Sequence, residues 1–140
     1  MKSAVLEHGY RAIDEATVYE NEEQVGAALK EIFEAGTIKR EDIFVTTKLW
    51  RSGYKDAEAA LRDSLKKLNL EYIDLYLVHW WFPVIDHEKN EVQGPPMHEV
   101  WRQMEGLVEK GLAKSIGVSN ASCQTLLDIL TYAKIKPAVN

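Results

Sequence analysis

Apolar residues in this chain alternate between the period of a buried strand and the period of an amphipathic helix, which limits the fold more than any other feature. Strand-like segments at residues 10–14, 43–47, 73–78 and 113–118 are each followed by a stretch with helical spacing, and residues 137–139 begin a fifth. Strands that alternate with single helices form parallel sheets with right-handed crossovers. The sequence therefore predicts an α/β fold with about five parallel strands and four intervening helices.

Each predicted helix carries one apolar stripe between a start signal and a stop signal. Asn21 and Gln24 form a capping-box pattern before the first helix, and Gly36 follows it. Asp56 and Asn69 bracket the second. Pro95-Pro96 opens the third after a long predicted loop over residues 80–95, and Gly111 follows it. The stripes are Val25, Ala28, Leu29, Ile32 and Phe33; Leu61, Leu65 and Leu68; Met97, Val100, Trp101, Met104, Leu107 and Val108; and Leu126, Leu127, Leu130 and Ala133.

The length of the chain restricts which parallel α/β architecture is possible. A closed (β/α)8 barrel needs at least about 200 residues, so these 140 residues cannot hold a whole one. Two architectures stay open from the pattern: a partial (β/α)8 TIM barrel, and an open five-stranded doubly wound sheet of flavodoxin type. We expect a single domain over residues 1–140, because no linker, low-complexity segment or charge block divides the chain.

Charge and composition exclude several classes of protein. Seventeen Lys and Arg against 22 Asp and Glu give a net charge of −5, and the basic residues are scattered, which is not typical of a nucleic-acid binder. The first residues are too weakly apolar for a signal peptide, and no run of 18 apolar residues occurs. The single cysteine, Cys123, fits a reducing compartment. We expect a cytoplasmic protein without nucleic-acid or membrane partners.

Every predicted strand ends in a polar or ionisable side chain. The carboxyl ends of parallel strands meet at one edge of a sheet, which is where the chemistry of such folds collects. Taken singly, each of these residues is explained as well by capping, turn formation or core packing, but together they indicate a site. They are Asp14 with Tyr19 shortly after it, Lys48, His79, Ser119 with Asn120, and Asn140.

A tyrosine, a lysine, an aspartate and a histidine in one place suit acid catalysis at a carbonyl. A phenol with a pKa of about 10 is a poor acid near neutrality, and an adjacent cation makes it a better one by favouring the phenolate. The carboxylate would hold the lysine, and the imidazole could orient a carbonyl oxygen. From the residues alone, the hydride donor stays open, because no G-x-G-x-x-G fingerprint is present.

Other chemistries find less support in the sequence. No serine or cysteine is arranged with a histidine as a nucleophile. The four histidines, His8, His79, His87 and His98, share no metal-ligand spacing, so we expect no metal site. Trp50, Trp80 and Trp81 follow two of the strand ends and could line an apolar pocket.

Blocks spread along the whole chain resemble the signature blocks of the aldo-keto reductases in order and spacing. These blocks are Gly9–Asp14 with Val18–Glu22, Thr47–Trp50, Leu68–Trp80, Gly117–Asn120 and Lys134–Asn140. The resemblance implies a partial TIM-barrel enzyme that transfers hydride from NADPH to a small-molecule aldehyde or ketone.

The resemblance also implies a role for each matched position. Tyr19 would be the proton donor, Lys48 would lower its pKa, Asp14 would hold Lys48, and His79 would orient the substrate. Asp14, Ser119 and Asn120 would belong to the cofactor site, with the last two holding the nicotinamide carboxamide. The substrate pocket would be lined by Tyr19, Trp50, His79 and Trp80.

The chain departs from the family pattern in several respects. Ala12 stands where the family usually has a histidine. The family's N-terminal hairpin and first strand would precede Met1, and its glutamine and its segment for the 2′-phosphate would follow Asn140. The resemblance thus implies a catalytic tetrad without most of the cofactor surface. We expect the isolated 140 residues to be unstable or to self-associate through open sheet edges, and to show no measurable NADPH-dependent reduction. The alternative function is that of an inactive fragment or a regulatory or binding remnant.

Overall fold

The computed structural model describes residues 1–82, 84–86, 88 and 91–140, and its elements follow the predicted alternation. Short 3₁₀ turns lie at Thr17–Tyr19, Arg40–Asp42 and Arg51–Gly53. The strands are β1 (Ala12–Asp14), β2 (Phe44–Leu49), β3 (Ile73–Val78), β4 (Val84–Asp86), β5 (Glu91–Gln93) and β6 (Ala113–Val118), and the α-helices are α1 (Lys2–Leu6), α2 (Glu22–Glu34), α3 (Ala57–Leu68), α4 (Met97–Glu109) and α5 (Cys123–Tyr132).

Four strands form a parallel sheet in the order β1-β2-β3-β6. Asp14 pairs with Thr46, Lys48 with Leu77, and Val78 with Val118. The carboxyl ends of all four strands therefore lie at the same edge, as the sequence predicted.

The core lies between the sheet and the helices that follow its strands. All six residues of β3 are buried, as its nearly continuous apolar sequence predicted for a strand covered on both faces. The stripe of α3 is buried as predicted, at Leu61, Leu65 and Leu68. Asp56 caps this helix by accepting a hydrogen bond from the Ala59 amide at 2.9 Å.

A glycine sets how closely α2 and α3 pack. A Cβ atom added to Gly26 would lie 2.1 Å from the Lys67 carbonyl oxygen and less than 3 Å from the backbone of Leu68. Only a glycine fits at this crossing, and the close approach brings Glu22 at the start of α2 against Ser64 of α3, with the Ser64 hydroxyl 3.1 Å from the Glu22 carboxylate.

The predicted fifth strand is wrong. Residues 137–139 run beside β6 and form two backbone hydrogen bonds to it, from Ala138 N–H to the Ile116 carbonyl at 2.9 Å and from Val118 N–H to the Val139 carbonyl at 3.1 Å, without becoming a strand. In a regular parallel ladder the residue that donates to Ile116 would also accept from Val118, but here Ala138 donates and Val139 accepts, so no regular ladder forms.

The side chains of α4, rather than the sheet, hold the start of this C-terminal segment. Trp101 Nε1 donates to the Ile135 carbonyl at 3.0 Å. The Glu105 carboxylate accepts from the amides of Lys134 and Ile135 at 2.7 and 3.0 Å. The segment is therefore fixed against α4 before it reaches β6.

Three local predictions need correction. Helix α1 was not predicted, because residues 2–6 are too short to show helical periodicity. The predicted loop 80–95 contains the antiparallel pair β4 and β5, although positions 83, 87, 89 and 90 of that loop, His87 included, lie outside the described residues. Asn21 is the N-cap of α2, but its side chain makes no capping hydrogen bond.

The predicted stripe of α5 is also partly wrong. Leu127 and Leu130 are exposed, while Ile129 and Ala133 are buried. With Ile129 as the anchor, the helix turns a different face toward the core from the one that the leucines indicated.

Candidate active site

The Lys48 side chain is the centre of the candidate site. It rises from the end of β2 and is buried, and its Nζ lies 2.6 Å from Asp14 Oδ1, 2.9 Å from the Glu15 carbonyl oxygen and 3.4 Å from Tyr19 Oη. An ammonium group has three N–H donors, so these contacts account for all of them. One buried cation thus joins the end of β1 to the turn that carries the tyrosine.

The 3₁₀ turn Thr17–Tyr19 sets the position of the phenol. Thr17 Oγ1 donates to the Lys48 carbonyl at 3.1 Å, which ties the turn to the end of β2. Glu20 then adopts a left-handed conformation with φ of 56° and ends the turn. Tyr19 therefore follows β1 in sequence but is held against β2 in space.

The Lys48–Asp14 ion pair has one buried and one exposed partner. The Lys48 side chain is 6% exposed, whereas that of Asp14 is 70% exposed. Water at the carboxylate weakens the Coulomb attraction of such a pair relative to a fully buried one. The lysine is thus fixed mainly by the core around β2, and the aspartate orients it from the solvent side.

His79 completes the group at the end of β3. Its amide donates to the Leu49 carbonyl at 3.1 Å, and its ring centroid lies 6.0 Å from that of Tyr19 and 5.3 Å from that of Trp50. Burial lowers the pKa of His79, and the positive charge of Lys48 lowers it further. The imidazole is therefore neutral near pH 7, with one nitrogen as a donor.

Ser119 and Asn120 follow β6 at the same edge. Asn120 is left-handed with φ of 57°, and its Nδ2 donates to the His79 carbonyl at 2.8 Å and to Ser119 Oγ at 3.0 Å. Asn140, the predicted end of the fifth strand, bonds both backbone groups of Ala121 instead. The serine hydroxyl proton and the Asn120 amide oxygen are left as one donor and one acceptor beside His79.

Aromatic rings continue outward from His79. Trp50 contacts His79, and Trp80 stacks on Phe82 with centroids 5.5 Å apart. Burial raises the pKa of Tyr54 to about 12, so its hydroxyl stays protonated and donates to the Trp80 carbonyl. Trp50 lies against His79 and Trp80 against Phe82, and their role as a substrate wall stays a prediction.

Trp81 does not belong to this wall. It is buried, and its ring packs on Trp101 of α4 at a centroid distance of 5.8 Å. The third tryptophan of the predicted pocket is a core residue, because the chain turns inward after Trp80.

Sequence reasoning missed a buried carboxylate pair beside Lys48. Glu22 accepts hydrogen bonds from Thr47 Oγ1 at 2.8 Å and from Ser64 Oγ at 3.1 Å. Glu15 is also buried, and its Oε2 has no hydrogen-bond partner among the described residues. Burial raises the pKa of Glu15, and the nearby charge of Glu22 raises it further. A second carboxylate directly after the end of a strand, as in Asp14-Glu15, was the available signal.

Two negative findings concern the described residues. No group of three or more His, Cys, Asp or Glu side chains among them is arranged to hold a metal ion. None of the helices within the described ranges combines the length and the apolar character needed to cross a membrane.

The profile of the Aldo/keto reductase family matches residues 1–140. The chain belongs to this family. Aldose reductase B of Dictyostelium discoideum is 46% identical over 155 residues, covering 96% of this chain and 49% of that protein. Methylglyoxal reductase DkgA of Escherichia coli is 46% identical over 135 residues, covering 96% and 44%. The chain thus spans about half the length of the curated relatives it matches.

Solved structures of the family identify the architecture. An aldose reductase from Giardia lamblia is 41% identical with a TM-score of 0.89, covering 99% of this chain and 51% of that one. A Bombyx mori aldo-keto reductase in complex with NADP is 39% identical with a TM-score of 0.89, covering 99% and 45%. Because these neighbours are TIM barrels, the partial-barrel prediction is confirmed and the open doubly wound sheet is excluded.

Proposed function

We propose that the protein reduces an aldehyde or ketone to the alcohol, with NADPH as the hydride donor and Tyr19 as the proton donor. The observation that carries this proposal is the contact of one buried ammonium, Lys48 Nζ, with both Asp14 and Tyr19. The names of the relatives, aldose reductase and methylglyoxal reductase, support a carbonyl substrate. The NADP complex of a structural neighbour supports the cofactor.

In the proposed reaction, Tyr19 Oη protonates the carbonyl oxygen as hydride reaches the carbonyl carbon. The C=O double bond becomes a single bond, and the tyrosine is left as a phenolate. The Lys48 ammonium at 3.4 Å stabilises that anion. Asp14 keeps the ammonium directed toward the phenol instead of toward solvent.

His79 would hold the carbonyl oxygen within reach of Tyr19. Its neutral ring can donate one hydrogen bond without competing with the phenol as an acid. Nδ1 is buried without a partner among the described residues, so Nε2 is the nitrogen that can face a substrate. A neutral donor of this kind polarises the carbonyl and orients it.

The donor set at the end of β6 fits a nicotinamide carboxamide. That group needs a donor for its carbonyl oxygen and an acceptor for its amine, and the Ser119 hydroxyl and the Asn120 amide oxygen supply one of each. We propose that these two residues bind the carboxamide and that Asp14 borders the nicotinamide. When bound, NADPH would supply the hydride, and the residues described here would supply the proton and the orientation.

A regulatory or binding role is the second candidate function. Tyr19 is 48% exposed and the Asp14 side chain 70% exposed, so water reaches the group that would transfer the proton. Proton-transfer sites work best when closing of the site excludes water. This exposure favours a remnant that keeps the arrangement without turning substrate over.

NADPH oxidation with an aromatic aldehyde distinguishes the two candidates. It is measured on the 140-residue chain and on the complete product of its reading frame. We expect reduction by the complete product, loss of at least about 100-fold in kcat in Tyr19→Phe, and no loss in Tyr10→Phe, whose ring is exposed.

Each possible outcome of this assay contradicts a different part of the proposal. If Tyr19→Phe keeps the rate of the parent, the proposed proton donor is wrong. If the reading frame ends at Asn140 and the chain oxidises no NADPH, the second candidate replaces the first. Turnover by the 140 residues alone would overturn the expectation that they are inactive.

A further inference from the structure

A single arginine interrupts the aromatic wall beside His79. The guanidinium carbon of Arg51 lies 5.1 Å from the centroid of Trp50 and 5.4 Å from that of Phe82. Trp50 in turn contacts His79. The side chain is therefore stacked between two rings of the proposed substrate wall, which limits its rotation and holds its charge at the mouth of the site.

The guanidinium has unused hydrogen-bonding capacity. Among the described residues, Arg51 forms cation–π contacts but no hydrogen bond and no ion pair. Arg40, by contrast, bonds the carboxylate of Asp74 at 2.7 Å and two backbone carbonyls. A fork of five N–H donors that is fixed by ring stacking and has no acceptor within the described ranges is suited to bind a carboxylate or phosphate.

Two neighbouring cavities differ in the charge of the residues that line them, and Arg51 lines only the less acidic one. They share Ser52 and Lys55. The cavity under α3 also contains the carboxylates of Asp56 and Asp63, which would repel an anion. The second cavity has a volume of about 210 Å³ and is lined by Arg51 instead of these two aspartates. None of the described residues that line it has a carboxylate. Its lining is Arg51, Ser52, Tyr54, Lys55, Gln93 and Gly94.

The distance between His79 and Arg51 sets how long a substrate must be to reach both side chains. The imidazole of His79 lies 5.3 Å from the ring of Trp50, and that ring lies 5.1 Å from the guanidinium. The His79 imidazole, which would orient the carbonyl, therefore lies at most about 10 Å from the Arg51 guanidinium. A small molecule can span that distance.

We propose that Arg51 binds an anionic group, a carboxylate or a phosphate, at the end of the carbonyl substrate opposite the reacting carbon. The proposal rests on the proposed function and specifies its substrate class. Lys55, on the other side of Ser52, adds a second positive charge to the same cavity. Neutral aldehydes would bind by stacking on Trp50 and Phe82 alone.

Binding is tested by titration calorimetry with matched pairs of aldehydes. 4-Carboxybenzaldehyde is compared with its methyl ester, and glyceraldehyde 3-phosphate with glyceraldehyde, so the two pairs distinguish a carboxylate site from a phosphate site. We expect the anionic member of at least one pair to bind about tenfold more tightly to the parent chain. Arg51→Gln should remove that preference, and Arg51→Lys should keep part of it. The matched control is Arg62→Gln, an exposed arginine of α3 that pairs with Glu58.

KM and kcat for the same aldehyde pairs are then measured with the protein that oxidises NADPH, whether that is the 140-residue chain or the complete product of its reading frame. We expect Arg51→Gln to raise KM for the anionic aldehyde about tenfold and to leave kcat and the neutral aldehyde unchanged. Equal binding of both members of both pairs by the parent chain would overturn the proposal, as would equal weakening of both members in Arg51→Gln. Reduction of neutral aldehydes with no anion preference would refute the Arg51 site alone. If Tyr19→Phe reduced aldehydes at the rate of the parent, that result would refute the proposed function alone.

Discussion

Strands β3 and β1 belong to one sheet, but they provide the candidate site with different kinds of support. All six residues of β3 are buried, whereas Ala12 and Asp14 of β1 are exposed and Ile13 is only half-buried. Lys48 lies near the end of the mostly buried β2 and His79 follows β3, whereas Asp14 is the last residue of β1 and Tyr19 lies in the turn after it. One half of the site is therefore held by core packing and the other half mainly by a few hydrogen bonds.

This difference indicates how substitutions in the two halves of the site should affect the reaction. A side chain fixed by close packing loses little entropy when it binds, whereas an exposed one must be ordered by its partner. The contact at 3.4 Å between Lys48 and Tyr19 joins the two halves. Substitutions on each side of this contact can therefore separate the effect of position from the effect of charge.

The largest expected effect is on the buried side, in Lys48→Met. We expect kcat to fall by about 10²–10⁴, because the phenolate of Tyr19 loses its stabilising cation, while the unfolding free energy changes by about 1 kcal/mol or less, because methionine fills a similar volume without the cost of burying a charge. Turnover by the complete product of the reading frame measures the first quantity, and denaturant unfolding measures the second. Lys66→Met, an exposed lysine of α3, is the control, and an unchanged kcat in Lys48→Met would contradict the assigned role.

Much of the buried half could be predicted from the sequence. Residues 73–78 and 113–118 form β3 and β6 with the predicted bounds, because runs of β-branched and apolar residues in parallel sheets have few alternatives once both faces are covered. Their parallel alignment is sufficient to bring Lys48, His79 and Asn120 to one edge. The convergence of these residues therefore follows from the topology, and their catalytic roles stay predictions.

The parts that could not be predicted depend on contacts between distant segments. Whether Arg51 stacks on Phe82 is decided by a turn of three residues and a loop, which carry no periodic signal. The segment after Pro137 shows the same limit, because its apolar pattern does not reveal that Ala138 and Val139 bond β6 irregularly. Local apolar patterns also misled at Leu127, since the packing of Ile129 determines which face of α5 is buried.

A smaller effect is expected where the two halves meet, in Glu15→Gln. Burial and the charge of Glu22 raise the pKa of Glu15 in the folded protein. Below its unfolded pKa of about 4.3 the carboxyl is neutral in both states and contributes nothing. As pH rises through the folded pKa, the folded state must hold an ion that it disfavours, so stability falls.

We therefore expect Glu15→Gln to match the parent near pH 4 and to be more stable by roughly 1 kcal/mol at pH 8, where the buried unpartnered oxygen is charged. Denaturant unfolding across this range measures the difference. Glu23→Gln, an exposed glutamate in the same turn of α2 as Glu22, should show no such dependence. A constant difference at all pH values would mean that Glu15 does not change its ionisation between the two states.

The smallest effect on stability is expected on the exposed side, in Asp14→Asn. The ion pair with Lys48 is short, at 2.6 Å, but the carboxylate is 70% exposed, and exposed pairs contribute about 0–1 kcal/mol. Asp63→Asn is the matched control, since it breaks another 2.6 Å pair with an exposed carboxylate. We expect both variants to lose similar small amounts of unfolding free energy, but only Asp14→Asn to lower kcat. A loss above about 2 kcal/mol in Asp14→Asn would show that the exposed half of the site is held as firmly as the buried half, and the contrast between β1 and β3 would then not explain how Lys48 is positioned.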